Sequence, residues 1–131
     1  MNKIEPNSIE SVIMFILYIC MQDGEISKEE SKELVATAPL IQKMYLDIFG
    51  EYIPQDLDLL IASVHEHLYK YISNAEHRLS SSEETKIFSK LLTDYAARDI
   101  ALLAARNTAG SDGLHKNEKK KYEFWYQKWN V

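Results

Sequence analysis

Ten consecutive apolar residues, 12–21, limit more than any other feature how this chain can fold. A helix that spans a membrane needs about 20 such residues, so this run is too short to do so. Glu5 and Glu10 precede the run and no small-residue cleavage site follows it, which is unlike a secretory signal peptide. We therefore predict that residues 12–21 form a helix enclosed by the rest of a folded domain.

Capping signals mark where the other helices begin and end. Ser8 is a suitable N-cap for the first helix, and Ser27 with Glu30 has the spacing of a capping box for the second. We expect Pro39 to end that second helix, because a proline disfavours helical backbone at the residue before it. Gly50 is expected to cap the end of a third helix.

The remaining pattern is also helical, and no segment alternates between polar and apolar residues as a half-buried strand does. Pro54 suits the first turn of a fourth helix, and Ser81 with Glu84 is expected to form a second capping box. The segment 96–106 either continues the fifth helix or forms a sixth, and 108–113 is expected to be a loop. The chain is predicted to be one all-α domain, residues 1–131, forming a compact bundle of about seven helices over 8–22, 27–38, 40–49, 54–72, 81–95, 96–106 and 115–129.

An Asp-Gly turn between two helices occurs twice, which predicts a duplicated helix–turn–helix unit. In each copy an apolar residue follows the turn and a glutamate comes four residues later. The two sets are Asp23, Gly24, Ile26 and Glu30, and Asp112, Gly113, Leu114 and Glu118. Turn formation and complementation of the helix dipole would explain these residues without any ligand.

The first copy matches the second half of an EF-hand calcium loop but not the first half. The first and third ligand positions would fall on Ile19 and Met21, whose side chains carry no oxygen. In the second copy those positions are Thr108 and Gly110, and the last ligand would be Lys119. A standard calcium loop is therefore excluded in both copies.

A duplicated helix–Asp-Gly–helix unit in an all-α chain of this length resembles the TerB-like (tellurite resistance) family. That family includes the N-terminal domain of DjlA-type co-chaperones. Members of the family are bacterial, cytoplasmic or membrane-associated, and linked to stress response and phage defence. The resemblance therefore implies a bacterial stress-response module, which we expect to be cytoplasmic. It also implies a divalent cation of the calcium or magnesium type, held near Asp23, Glu30, Asp112 and Glu118. The second copy departs from the pattern, because three lysines follow Glu118 directly.

Other candidate sites have simpler interpretations. His65 and His67 point about 200° apart on a helix, so they cannot chelate one ion. Cys20 lies in the apolar run, where burial disfavours a reactive thiolate. No phosphate-binding loop or nucleophile elbow is present in the sequence. We therefore expect no enzymatic activity.

The charge is unevenly spread along the chain, although the net charge is only −5. Residues 115–131 are basic and contain five aromatic side chains, of which Tyr122, Trp125, Tyr126 and Trp129 recur at the spacing of a core-packing stripe. We expect a protein partner or a homodimer, and no nucleic acid, since the rest of the chain is acidic. Two alternatives remain open: a metal-free adaptor domain, and a nucleic-acid-associated protein that uses the C-terminal helix.

Overall fold

The computed structural model describes residues 5–21, 27–50, 57–72, 81–110 and 116–129. These residues contain no strand and form six helices, which confirms the all-α prediction. The helices are α1 (Ile9–Cys20), α2 (Lys28–Phe49), α3 (Leu57–Ile72), α4 (Ser81–Leu91), α5 (Tyr95–Ala109) and α6 (Lys116–Trp129). Among the described helices, none combines the length and the apolar character that crossing a bilayer requires.

The apolar run forms the centre of the bundle, as predicted. Every residue of α1 from Ser11 to Cys20 is buried, and α1 packs against α2, α3, α5 and α6. The strongest of these contacts is with α5, whose buried face is rich in alanine. Small side chains let two helix backbones approach closely, so α5 covers α1 without needing large residues of its own.

The predicted caps at Ser8, Ser27 and Gly50 are confirmed. The Ser8 hydroxyl accepts a hydrogen bond from the Ser11 N–H at 3.2 Å and starts α1. Gly50 has a φ of 69°, the left-handed conformation that glycine adopts without strain, and its N–H donates to the Leu46 carbonyl at the end of α2.

The prediction that Pro39 ends a helix is wrong, because α2 continues through it to Phe49. A proline inside a helix leaves one carbonyl, here that of Val35, without its intrahelical donor. Pro39 and Val35 are both exposed, so they lie on the outer side of α2, where water can hydrate that carbonyl. Ala38 and Ile41 are buried and hold both halves of α2 on the core. This continuity merges two predicted helices into one.

The chain turns between α4 and α5, so the segment after residue 95 forms a helix of its own. Asp94 caps α5 by accepting from the N–H groups of Ala96 and Ala97. Asn7, at a φ of 57°, joins this turn to the start of α1: its side-chain oxygen accepts from the N–H groups of Thr93 and Asp94. Its own N–H donates to a carbonyl of α4, that of Leu91, at 2.7 Å.

Two further boundaries differ from the sequence prediction. Helix α5 continues through Thr108 to Ala109, so a loop starting at 108 is wrong. Helix α4 starts at Ser81 itself, which leaves Ser81 inside the helix instead of at its N-cap. Pro54 lies outside the described residues.

Candidate functional site

The structure describes two of the four predicted metal-binding residues. Glu30 and Glu118 lie in the first turns of α2 and α6, and both are almost fully buried, at 2% and 1% exposure. Asp23 and Asp112 lie outside the described residues, as do Ile26 and Leu114 of the two turns. The duplication therefore stays a prediction, although the helices that precede the two turns, α1 and α5, pack against each other.

The two carboxylate oxygens of Glu30 differ in their hydrogen bonding. The Ser27 N–H donates to Oε1 at 3.0 Å, and the Glu30 N–H donates to the Ser27 hydroxyl at 3.1 Å, which completes the predicted capping box. The other oxygen, Oε2, is buried and has no hydrogen-bond partner among the described residues. A buried carboxylate oxygen without a donor is costly, so this atom requires an explanation.

Glu118 is buried, whereas the three lysines that follow it in the sequence are exposed or half-buried. Lys119 and Lys120 are exposed, and Lys121 forms an ion pair with Glu84 of α4. In the part of the chain that the structure describes, no three His, Cys, Asp or Glu side chains gather as metal ligands.

A polar cluster that the sequence did not indicate joins α1, α4 and α6. The Tyr18 hydroxyl donates to Glu84 Oε2 at 2.6 Å, and Lys121 Nζ donates to the same oxygen at 3.1 Å. The Lys121 ammonium also lies 5.8 Å from the centre of the Tyr18 ring. Burial, followed by the Glu84 carboxylate, raises the pKa of the Tyr18 hydroxyl far above its usual value. The phenol therefore remains a hydrogen-bond donor at any physiological pH.

Above this cluster is a cleft of about 170 Å³. Its lining residues are Tyr18, Glu84, Thr85, Lys120, Lys121 and Phe124. Phe124 is 48% exposed, and its ring contacts the ring of Trp125 edge-on, with the ring centres 5.3 Å apart. The cleft thus combines an exposed aromatic wall with two ammonium groups and a floor that is already hydrogen-bonded.

The packing stripe predicted for the C-terminal helix is correct except at Tyr126, since Trp125 and Trp129 are buried and Tyr122 packs against the core. Trp125 and Trp129 are buried against Phe15, with ring centres 6.0 and 5.1 Å away. Tyr126, in contrast, is 50% exposed and stacks on the half-buried Tyr122. Burial raises the pKa of Tyr122.

The other two candidate residues, Cys20 and His65, lie among apolar side chains. Cys20 is buried in α1, as its sequence context predicts. His65 is half-buried in an apolar groove of about 380 Å³ between α1, α2 and α3, which Leu17, Leu34 and Ile61 also line. Among the described residues, His65 belongs to no group of three His, Cys, Asp or Glu side chains that could hold a metal ion.

Comparison with known proteins identifies no relative of this chain. No family model matches the chain, and no curated protein or solved structure matches it either. The resemblance to the TerB-like family therefore rests on the turn residues alone.

Proposed function

We propose that this chain is a non-enzymatic, TerB-like helical module that binds a divalent cation at its Asp-Gly turns and acts through protein contacts. Two features support the proposal: the resemblance of the turn sequences and the unpartnered carboxylate oxygen of Glu30. The cation would be of the calcium or magnesium type, because the side chains offered are carboxylates. By the same resemblance the protein would be bacterial and cytoplasmic, and would serve a stress response of the tellurite-resistance kind.

The Glu30 carboxylate carries the argument because one of its two oxygens is buried without a hydrogen-bond donor among the described residues. Removing an ionised carboxylate from water is costly unless a cation or hydrogen-bond donors replace the water. Oε1 belongs to the N-cap of α2, whereas Oε2 is free among the described residues. Asp23 precedes Glu30 by seven residues, across the turn. A cation shared by these two carboxylates would supply the missing compensation, and Asp112 with Glu118 would form the weaker second site.

Thermal unfolding with calcium, magnesium, manganese or zinc tests this proposal. A cation that binds only the folded chain stabilises it by about 2.7 kcal/mol at 100 times its Kd, so the wild-type Tm should rise. In Glu30→Gln the amide oxygen can still accept from the Ser27 N–H, so the cap remains while the charge is lost. We expect this variant to fold at least as stably as the metal-free wild type and to lose the cation-dependent shift.

Glu29→Gln is the matched control, since Glu29 is the exposed neighbour of Glu30 on the same helical turn. It removes the same charge and should keep the shift. Asp23→Asn combined with Asp112→Asn should abolish it. No shift with any of the four ions, or equal shifts in all variants, would refute the cation site.

A metal-free adaptor is the second candidate, favoured by an apolar row on the outer side of α2. Val35, Pro39 and Leu46 are exposed and recur at intervals of four and seven residues, so they share one helix face. Val35→Ser with Leu46→Ser should leave folding intact and abolish binding of a co-purifying protein. If Glu30→Gln keeps that binding with no cation effect, the adaptor function is favoured over the metal-dependent one.

A further inference from the structure

The geometry points to the cleft between α1, α4 and α6 as a binding site for a small aromatic anion, a planar ring that carries a carboxylate or phosphate group. The cleft uses none of the four acidic residues of the Asp-Gly turns. This inference is therefore independent of the cation proposed above.

The first argument is the number of ammonium donors that the cleft leaves unused. Lys121 has three N–H donors, and within the described part of the chain its ammonium group donates only to Glu84, at 3.1 Å. Its side chain is 24% exposed, so its charge is partly withdrawn from water. Lys120, at the rim, is exposed and forms no ion pair with any described residue. An anion at this rim would receive charge-assisted hydrogen bonds from both lysines.

The second argument is that the one carboxylate in the cleft is already engaged. Glu84 Oε2 accepts from both the Tyr18 hydroxyl and Lys121. Two lysines against one glutamate leave the cleft with one net positive charge. A negative ligand group is therefore favoured beside the lysines, and a positive one is disfavoured.

The third argument is the aromatic wall. Phe124 leaves nearly half of its surface in water, beside the two lysines. A planar ring stacked against Phe124 would bury that surface, and aromatic pairs gain energy beyond the buried area. A cleft of about 170 Å³ is smaller than the pockets that hold drug-sized ligands, so it limits the ligand to about one ring and its charged group.

Titration of the full chain with benzoate and phenyl phosphate tests the site, followed by Trp fluorescence and by amide NMR. Trp125 lies 5.3 Å from Phe124, so a ring stacked on Phe124 should change its fluorescence. We expect saturable binding with a Kd on the order of 1 mM or tighter, weakened by salt. Acetate and inorganic phosphate lack the aromatic ring, and benzyl alcohol lacks the anionic group. Each should bind at least about tenfold more weakly than benzoate and phenyl phosphate.

Matched substitutions on α6 locate the site. Lys120→Gln and Phe124→Ala should each weaken binding roughly tenfold. Lys119→Gln and Tyr126→Ala make comparable changes at exposed positions outside the cleft and should have little effect. All four positions are exposed, so these variants are expected to fold.

Three results would overturn the inference. One is the absence of saturable binding by either aromatic anion. Another is equal weakening by Lys119→Gln and Lys120→Gln, which would indicate a diffuse attraction to the helix. The third is binding of a short single-stranded oligonucleotide without binding of phenyl phosphate, which would identify α6 as a nucleic-acid surface instead of a small-molecule site.

Discussion

Tyr18 makes two kinds of contact, an aromatic one through its ring and a hydrogen bond through its hydroxyl group. Its ring packs 4.5 Å from that of Phe88, centre to centre, inside the bundle. Its hydroxyl reaches the Glu84 carboxylate, which also holds Lys121. Two charged side chains near the surface are thereby fixed by one buried phenol. The folded chain favours the protonated phenol, because its ionised form would be withdrawn from water beside a carboxylate.

Tyr18→Phe should lower the free energy of unfolding by about 1.5–3 kcal/mol at neutral pH, since it removes a hydrogen bond to a charged group. Tyr18 ionises in the unfolded chain near its usual pKa of 10.0, but only at higher pH in the folded chain. Above pH 10 the unfolded state therefore binds fewer protons, and the wild type loses about 1.4 kcal/mol per pH unit through this group. The phenylalanine variant lacks this loss.

Urea unfolding of both proteins at several pH values between about 8 and 12 measures this effect. The stability difference between wild type and Tyr18→Phe should be constant up to about pH 10 and shrink above it. A difference that stays constant across the whole range would show that the Tyr18 hydroxyl ionises equally easily in both states.

At the scale of helices, the burial or exposure of a residue decides whether its local sequence preference determines the structure. Helix α1 has almost no polar face, and the bundle accommodates it by surrounding it on several sides. Helix α2 contains Pro39, which breaks the local rule, but the proline lies on the outer side while Ala38 and Ile41 hold the inner side. Packing of one continuous apolar face thus outweighs the loss of a single backbone hydrogen bond.

Pro39→Ala should stabilise the protein. A proline in a helix interior is about 3 kcal/mol less favourable than alanine, a helix–coil difference that already includes the restriction of the unfolded chain by proline, so we expect a gain of up to about 3 kcal/mol. Thermal unfolding followed by circular dichroism measures it, with Leu40→Ala as a control for loss of an exposed apolar side chain. A Pro39→Ala variant less stable than the wild type would mean that the proline ring makes contacts more favourable than the missing hydrogen bond.

The predictions from sequence are correct where the interactions that decide the structure join residues close together in the chain. The caps at Ser8, Ser27 and Gly50 involve residues within four positions, so their signals can be read locally. The cluster of Tyr18 and Glu84 joins residues 66 positions apart, and only the packed bundle brings them together. For the same reason the cleft could not be foreseen, and the exposure of Tyr126 depends on how α6 is rotated against α1.

In the whole molecule, one aromatic cluster ties the start of the chain to its last helix. Phe15 of α1 has no exposed surface, and its ring contacts Phe88 of α4 and both tryptophans of α6. Helix α6 is basic on its outer side, while the remainder of the chain is acidic. Aromatic packing and complementary charge therefore both favour the attachment of α6 to the body, and added salt weakens the second contribution.

Phe15→Ala should therefore destabilise the entire bundle instead of releasing α6 alone. Deleting a fully buried phenylalanine typically costs about 3–5 kcal/mol, because a cavity remains where the ring packed. Circular dichroism reports on all helices, whereas Trp fluorescence reports on α6, which contains both tryptophans. Both signals should shift together to lower denaturant, as in a two-state transition. Phe124→Ala removes the same side chain from an exposed position and should change stability by less than about 1 kcal/mol. If fluorescence changed at much lower denaturant than circular dichroism, α6 would be an independently attached element, and the cleft beside it would open before the bundle unfolds.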